Sequence, residues 1–281
     1  MEPTGERRGD WIKRLGRYGI IIAVGWGGLS LLARRSVFHP MKHPEGWWQL
    51  QQRVGVEDAW ITARDGVKLH GWFAAPPDAK LATLFLHGNA GNVTHRVQAI
   101  LAIREAGSAV LVLDYRGFGK SEGSPSETGV TLDAEAALAW LQQSGFPPQR
   151  VVLHGESLGS AVAVELATRT RCAGVVLEAP FTSASAVAGA VVPLLGRTLI
   201  SGFDSLSRIR RVHAPMLVIH GTRDEIIPFE MGQQLFAAAN EPKHFHAVEG
   251  AGHNNIAETA GPAYAARLKE FYRLLPVLPP Q

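Results

Sequence analysis

From about residue 56 onward the sequence alternates short apolar runs with stretches long enough to be helices, and this alternation limits the possible folds more than any other feature. The runs at 60–63, 67–74, 82–86, 109–113, 151–154, 174–177, 215–220 and 244–248 are rich in β-branched and aliphatic residues, as expected of strands covered on both faces. Helical candidates lie between them, near 93–106, 128–144, 158–169, 229–239 and 257–274. Alternation of this kind predicts an α/β domain, a parallel sheet with helices on both sides. The first two runs depart from it, because Asp65-Gly66 between them signals a hairpin. No internal repeat is visible. In such sheets ligands bind beyond the carboxyl ends of the strands, so the residues just after each run are the ones to read for chemistry.

Composition narrows the function classes. With 46% hydrophobic residues in 281 the chain can bury a core, and one cysteine, Cys172, excludes both a disulfide framework and a thiolate metal cage. The net charge of +3 is unevenly placed. Residues 1–42 hold eight Lys or Arg against three Asp or Glu, which leaves 20 basic and 22 acidic residues in the remainder. A slightly acidic body does not fit nucleic-acid binding. Between Arg17 and Arg34 the stretch 18–33 carries no charge, and as a helix its sixteen residues would reach about 24 Å, a slightly short membrane span that flanking arginines can extend by snorkelling. The chain is therefore expected to have a basic tail at 1–17, a single-pass membrane anchor at 18–33, a linker at 34–55, an α/β body at 56–275 and a tail at 276–281. Five basic residues before the stretch and three after it lean the N-terminus toward the cytoplasm and the body outward.

After the run at 151–154 comes Gly155-Glu156-Ser157-Leu158-Gly159, followed by an alanine-rich helical segment. This is the G-x-S-x-G pattern in the setting it needs, strand before and helix after. The turn is tight enough that side chains two positions either side of the serine would collide, and it presents the hydroxyl at a helix N-terminus, where developing negative charge is favoured. A serine hydroxyl needs a base, and the base needs an acid to fix its tautomer. Of eleven histidines, His253 fits best, in Gly250-Ala251-Gly252-His253-Asn254 after the last strand. For the acid, Asp224 follows the preceding strand, with Glu178 as its rival one strand earlier. The chain order Ser157, Asp224, His253 is that of the α/β-hydrolase fold. For an oxyanion, the backbone N–H of Leu158 is one expected donor and that of Asn89, in the glycine-containing segment 87–92, the other.

Segments 87–92, 114–123, 155–159, 203–205, 215–228 and 250–253 together resemble the α/β-hydrolase superfamily, and within it the BEM46-like serine hydrolases that include the α/β-hydrolase-domain proteins of types 13 and 17. The resemblance covers about residues 55–275. It implies a mostly parallel eight-stranded sheet with helices on both faces, a small lid at about 181–212, catalytic Ser157, Asp224 and His253, and an oxyanion hole at Asn89 and Leu158. It also implies a small-molecule or acylated substrate and no cofactor, and many members carry an N-terminal membrane segment. The implied chemistry is hydrolysis of an ester or thioester. A serine aminopeptidase activity, or a catalytically silent scaffold, is the alternative. Gly119-Lys120-Ser121 imitates the end of a phosphate-binding loop, but Asp114 stands where the first glycine belongs. No histidine or cysteine motif predicts a metal.

Overall fold

The computed structural model describes residues 37–192 and 196–276. Its main sheet has eight strands: β1 (Glu57–Thr62), β2 (Lys68–Ala74), β3 (Ala82–Leu86), β4 (Ala109–Asp114), β5 (Val151–Glu156), β6 (Gly174–Glu178), β7 (Met216–Gly221) and β8 (Lys243–Val248). Across the sheet they run β8-β7-β6-β5-β3-β4-β2-β1. β1 and β2 form the antiparallel hairpin, β2 lies antiparallel to β4, and every other pairing is parallel. Each strand foreseen from the sequence is present, with no end shifted by more than three residues and 82–86 matched at both ends.

The reason for the continuous apolar runs is visible in β4. Leu111 and Leu113 enter the core on one face of the sheet, Val110 and Val112 the core on the other. The first core is closed by α2 (Glu127–Gln143) and α3 (Leu158–Ala167), through Val130, Leu141, Val162 and Leu166. The second is closed by α1 (Val97–Glu105) and α6 (Pro262–Leu274), through Ile100, Ile103, Leu268 and Phe271. β1 instead alternates buried Ala59 and Ile61 with exposed neighbours, the pattern of an edge strand with one covered face. α4 (Ala184–Val191) lies in the region expected to be a lid, and α5 (Phe229–Ala238) follows β7.

Two expectations change. The helix expected at 257–274 is split into Ile256–Ala260 and α6, because Gly261 takes φ 54° and Pro262 has no N–H to continue the ladder. Residues 37–55, expected as linker, instead pack on the body as a strap. His39–Pro40 pairs in parallel with Ala90–Gly91, Gly119 N–H donates to Met41 O, and the Asn92 side chain donates to the carbonyls of Met41 and Glu45. Trp48 then meets Trp72 edge-on at 5.8 Å, and Leu50–Val54 forms a short helix. The anchor expected at 18–33 and the tail at 1–17 lie outside the described residues. Among the described residues no helix is long and apolar enough to cross a membrane.

A buried ion pair ties the loop after β4 to α2. The Arg116 guanidinium reaches Asp133 at 2.7 Å and Asp65, in the hairpin turn, at 2.7 Å. Burial pushes the Asp133 carboxyl above its usual range despite its hydrogen bonds from Arg116, so the intact pair adds little net stability. Removing Asp133 is costlier, because it strips the better-buried counter-charge from Arg116. Asp133→Ala should lower the unfolding free energy by about 3 kcal/mol, the lower end for a broken buried pair since Asp65 keeps its hold. Urea denaturation should show this, with a clearly smaller loss for Asp65→Ala.

Candidate active site

β5 ends at Glu156 and α3 begins at Leu158, leaving one residue, Ser157, to make the turn. It does so at φ 52° and ψ −115°, a backbone state that side-chain-bearing residues rarely adopt. The two glycines make room for it. A Cβ on Gly155 would lie 2.2 Å from the Gly159 carbonyl oxygen, and one on Gly159 would lie 1.8 Å from that of Leu86. Ser157 N–H donates to Glu178 O at 2.8 Å, and Ser160 Oγ donates to Ser157 O at 2.6 Å. The serine is thus held at the N-terminus of a ten-residue helix, where unpaired amides favour negative charge.

The other two side chains come from loops after β7 and β8. His253 Nε2 lies 3.0 Å from Ser157 Oγ, and its Nδ1 lies 2.8 Å from Asp224 Oδ2. Asp224 also accepts the N–H groups of Ile226 and Ile227 at 2.9 and 2.7 Å, and His220 Nε2 stands 3.2 Å from its Oδ2. Burial opposes ionisation of this carboxyl. The hydrogen bonds from His220, His253 and Ile227 outweigh it and hold Asp224 well below the usual carboxylate range. An ionised Asp224 needs a proton on His253 Nδ1, which leaves Nε2 free to accept the serine proton. The loop carrying His253 is itself fixed by Gly252 N–H to Asn255 Oδ1 at 2.8 Å and Arg223 N–H to Ala251 O at 2.9 Å.

Glu178, the rival acid, is turned elsewhere: its carboxylate accepts from Tyr264 and sits 3.3 Å from His154 Nε2. Asp114 is buried in a structural network, accepting Val93 N–H at 2.8 Å beside His70 and His87. Asn89 and Leu158 share with Ser157 and His253 the lining of a cavity of about 810 Å³. Leu158 N–H, in the first turn of α3, has no carbonyl four residues back within the helix. The strap holds Asn89 from both ends: Asn89 O accepts His39 N–H at 2.8 Å, and its side chain donates to Val37 O at 3.0 Å.

Sequence reasoning missed four residues of the site. His220 supports Asp224 from four residues upstream, and a histidine closing the preceding strand was the signal for it. Arg96 lies 3.4 Å from Glu156, beside the serine, and donates to Ala90 O at 2.8 Å. Val37 and Met41 of the strap line the cavity, with no local pattern to announce them. Among the described residues no group of three or more His, Cys, Asp or Glu side chains is placed to hold a metal.

A serine at a strand-to-helix turn, with histidine and aspartate arriving from the next loops, defines a hydrolase of the α/β class. The comparisons agree. The model of the α/β-hydrolase fold family matches residues 83–205. Uncharacterized protein Rv2307c of Mycobacterium tuberculosis is 42% identical over 227 residues, covering 79% of this chain and 80% of that one. Alpha/beta hydrolase domain-containing protein 17B of Homo sapiens is 37% identical over 241 residues, covering 84% and 82%. Among solved structures, the Pyrococcus furiosus esterase Pf2001 superposes with a TM-score of 0.72 at 20% identity, over 85% of this chain and 98% of its own. The chain belongs to the α/β-hydrolase family, and with it to the hydrolases.

Because the Asp224 pKa is lower in the folded chain than in the unfolded one, the carboxylate's contribution to stability is complete above about pH 4 and is lost as the pH falls through the lower native value. Denaturation of the native chain and of Asp224→Asn should therefore differ by a constant amount near neutrality. The gap should close on acidification, and a gap that widens would contradict the assignment.

Proposed function

We propose that this chain is a serine hydrolase that cleaves carboxylic esters or thioesters through an acyl-enzyme intermediate. One observation carries the reading: the continuous hydrogen-bonded path from Ser157 Oγ to His253 Nε2 at 3.0 Å and from His253 Nδ1 to Asp224 Oδ2 at 2.8 Å. In this reading His253 takes the Ser157 proton as Oγ attacks the substrate carbonyl carbon. The carbonyl oxygen becomes an oxyanion and is met by the N–H groups of Asn89 and Leu158. His253 then protonates the leaving alcohol or thiol as its bond to the carbonyl carbon breaks. Water, deprotonated by the same imidazole, attacks the acyl carbon and frees both acid and serine. Asp224, ionised throughout, holds the imidazole's orientation and stabilises the imidazolium.

The cavity supports an apolar acyl group. Phe181, Ala184, Val187, Ala188 and Ile200 line it, while Arg96 and Glu156 form a charged wall near the elbow. The reading keeps the single-pass anchor at 18–33 and the lid at about 181–212 as parts of the same enzyme, with the catalytic body outside the cytoplasm.

Ser157→Ala should abolish covalent labelling by a fluorophosphonate probe while leaving the thermal midpoint close to that of the native chain. Labelling that survives would sink the proposal. Asp224→Asn should lower kcat about 10³–10⁴-fold, since asparagine no longer enforces a protonated Nδ1. Across p-nitrophenyl esters, lengthening the acyl group from acetate to butyrate should raise kcat/KM roughly tenfold, at about 0.8 kcal/mol per buried methylene. Activity on aminoacyl anilides that exceeds activity on these esters would turn the assignment to the aminopeptidase alternative.

A further inference from the structure

The opening of the cavity beside Ser157 has an apolar rim. Val191, Val192 and Ile226 all line the cavity, yet remain 70%, 47% and 43% exposed. Trp47, 51% exposed and next to the lining rather than in it, packs at a 42° tilt against His95, another lining residue, with ring centroids 4.7 Å apart. These four side chains come from the strap, from α4 and the residue after it, and from the loop beyond β7. Single exposed apolar residues are ordinary on a soluble surface; several gathered around one opening mark a contact surface.

The strap indicates what covers it. Val37 lines the same cavity, and the uncharged stretch 18–33 ends only four residues earlier. At no more than ~3.6 Å per residue, Val37 lies within about 14 Å of the end of that stretch. If the stretch spans a bilayer, the cavity mouth must therefore lie close to the bilayer surface. Trp47, in the strap, has the amphipathic ring favoured at that depth.

We propose that the rim formed by Trp47, Val191, Val192 and Ile226 rests in the headgroup and upper acyl layer of a lipid bilayer. The cavity then opens toward the membrane, and the substrate is an amphiphile that enters Ser157's cavity from the bilayer, acyl end first. This rests on the anchor and on the hydrolase reading of the same cavity.

The test uses the full chain reconstituted into phosphatidylcholine vesicles containing phosphatidylserine. Cys172→Ala leaves a background for one cysteine at a time, introduced by Val191→Cys, Ile226→Cys or Gln149→Cys and labelled with an environment-sensitive fluorophore. Gln149 is the control, exposed at the amino end of β5 and about 20 Å of strand away from the serine. Phosphatidylcholine bearing a nitroxide high on its tail should quench the labels at 191 and 226 at least about twofold, and the label at 149 far less. Equal quenching at all three sites, none at 191 and 226, or failure of the chain to enter the vesicles would each overturn the proposal. Fluorophosphonate labelling of the same vesicles reads the hydrolase assignment separately, so loss of labelling with quenching intact would fault the chemistry and leave the rim standing.

Discussion

The tightest approach in the site is backbone against backbone. Gly159, the second residue of α3, sits so close to the Leu86 carbonyl at the end of β3 that a single added carbon would be 1.8 Å from it. That contact seats the helix directly on the sheet and fixes where Ser157 points. It also sets the distance between the serine and the segment 87–92 that leaves β3, from which the second oxyanion donor is expected. The strained φ of Ser157 is sustained because β5, α3 and the Glu178 carbonyl all hold it from outside.

Electrostatics does comparable work in two buried carboxylates. Asp224 and Asp114 are both held below the usual carboxylate range, against the opposing pull of burial: Asp224 by hydrogen bonds from His220, His253 and Ile227 N–H, Asp114 by the His70 and His87 rings that stand beside it. Asp224 spends its charge on His253. Asp114 spends its charge on structure: it accepts Val93 N–H and neighbours His87, whose ring nitrogen meets Gly88 O at 2.7 Å. One carboxylate orients the His253 ring and the other stiffens the loop that faces it, so charge and backbone geometry converge on the same side of the sheet.

The sheet was legible because both its faces are covered, so β3, β4 and β6 read as unbroken apolar runs. Ser157 was legible because its turn demands glycine at 155 and 159, and Asp224 and His253 because each follows a strand in the right chain order. Helix boundaries were less so: Ala260-Gly261-Pro262 keeps helical residues on both sides of a break. The strap was opaque for a different reason. Residues 37–55 bind mainly through backbone groups, as in Met41 and Gly119, and backbone hydrogen bonds leave no mark on residue type. Arg96 and His220 were likewise hidden, since their partners lie on other segments or across a turn.

The strap has a mechanical consequence. The peptide that would connect body to membrane is stitched to Asn89, the residue whose amide faces the reacting carbonyl in the proposed chemistry. If the proposed anchor and oxyanion roles hold, tether and loop are in series, and tension or tilt at the bilayer would be felt at the Asn89 amide before it reached the core. Cutting the gene at residue 56, where a tidy domain boundary suggests itself, would remove the hydrogen bonds that hold Asn89 from the strap.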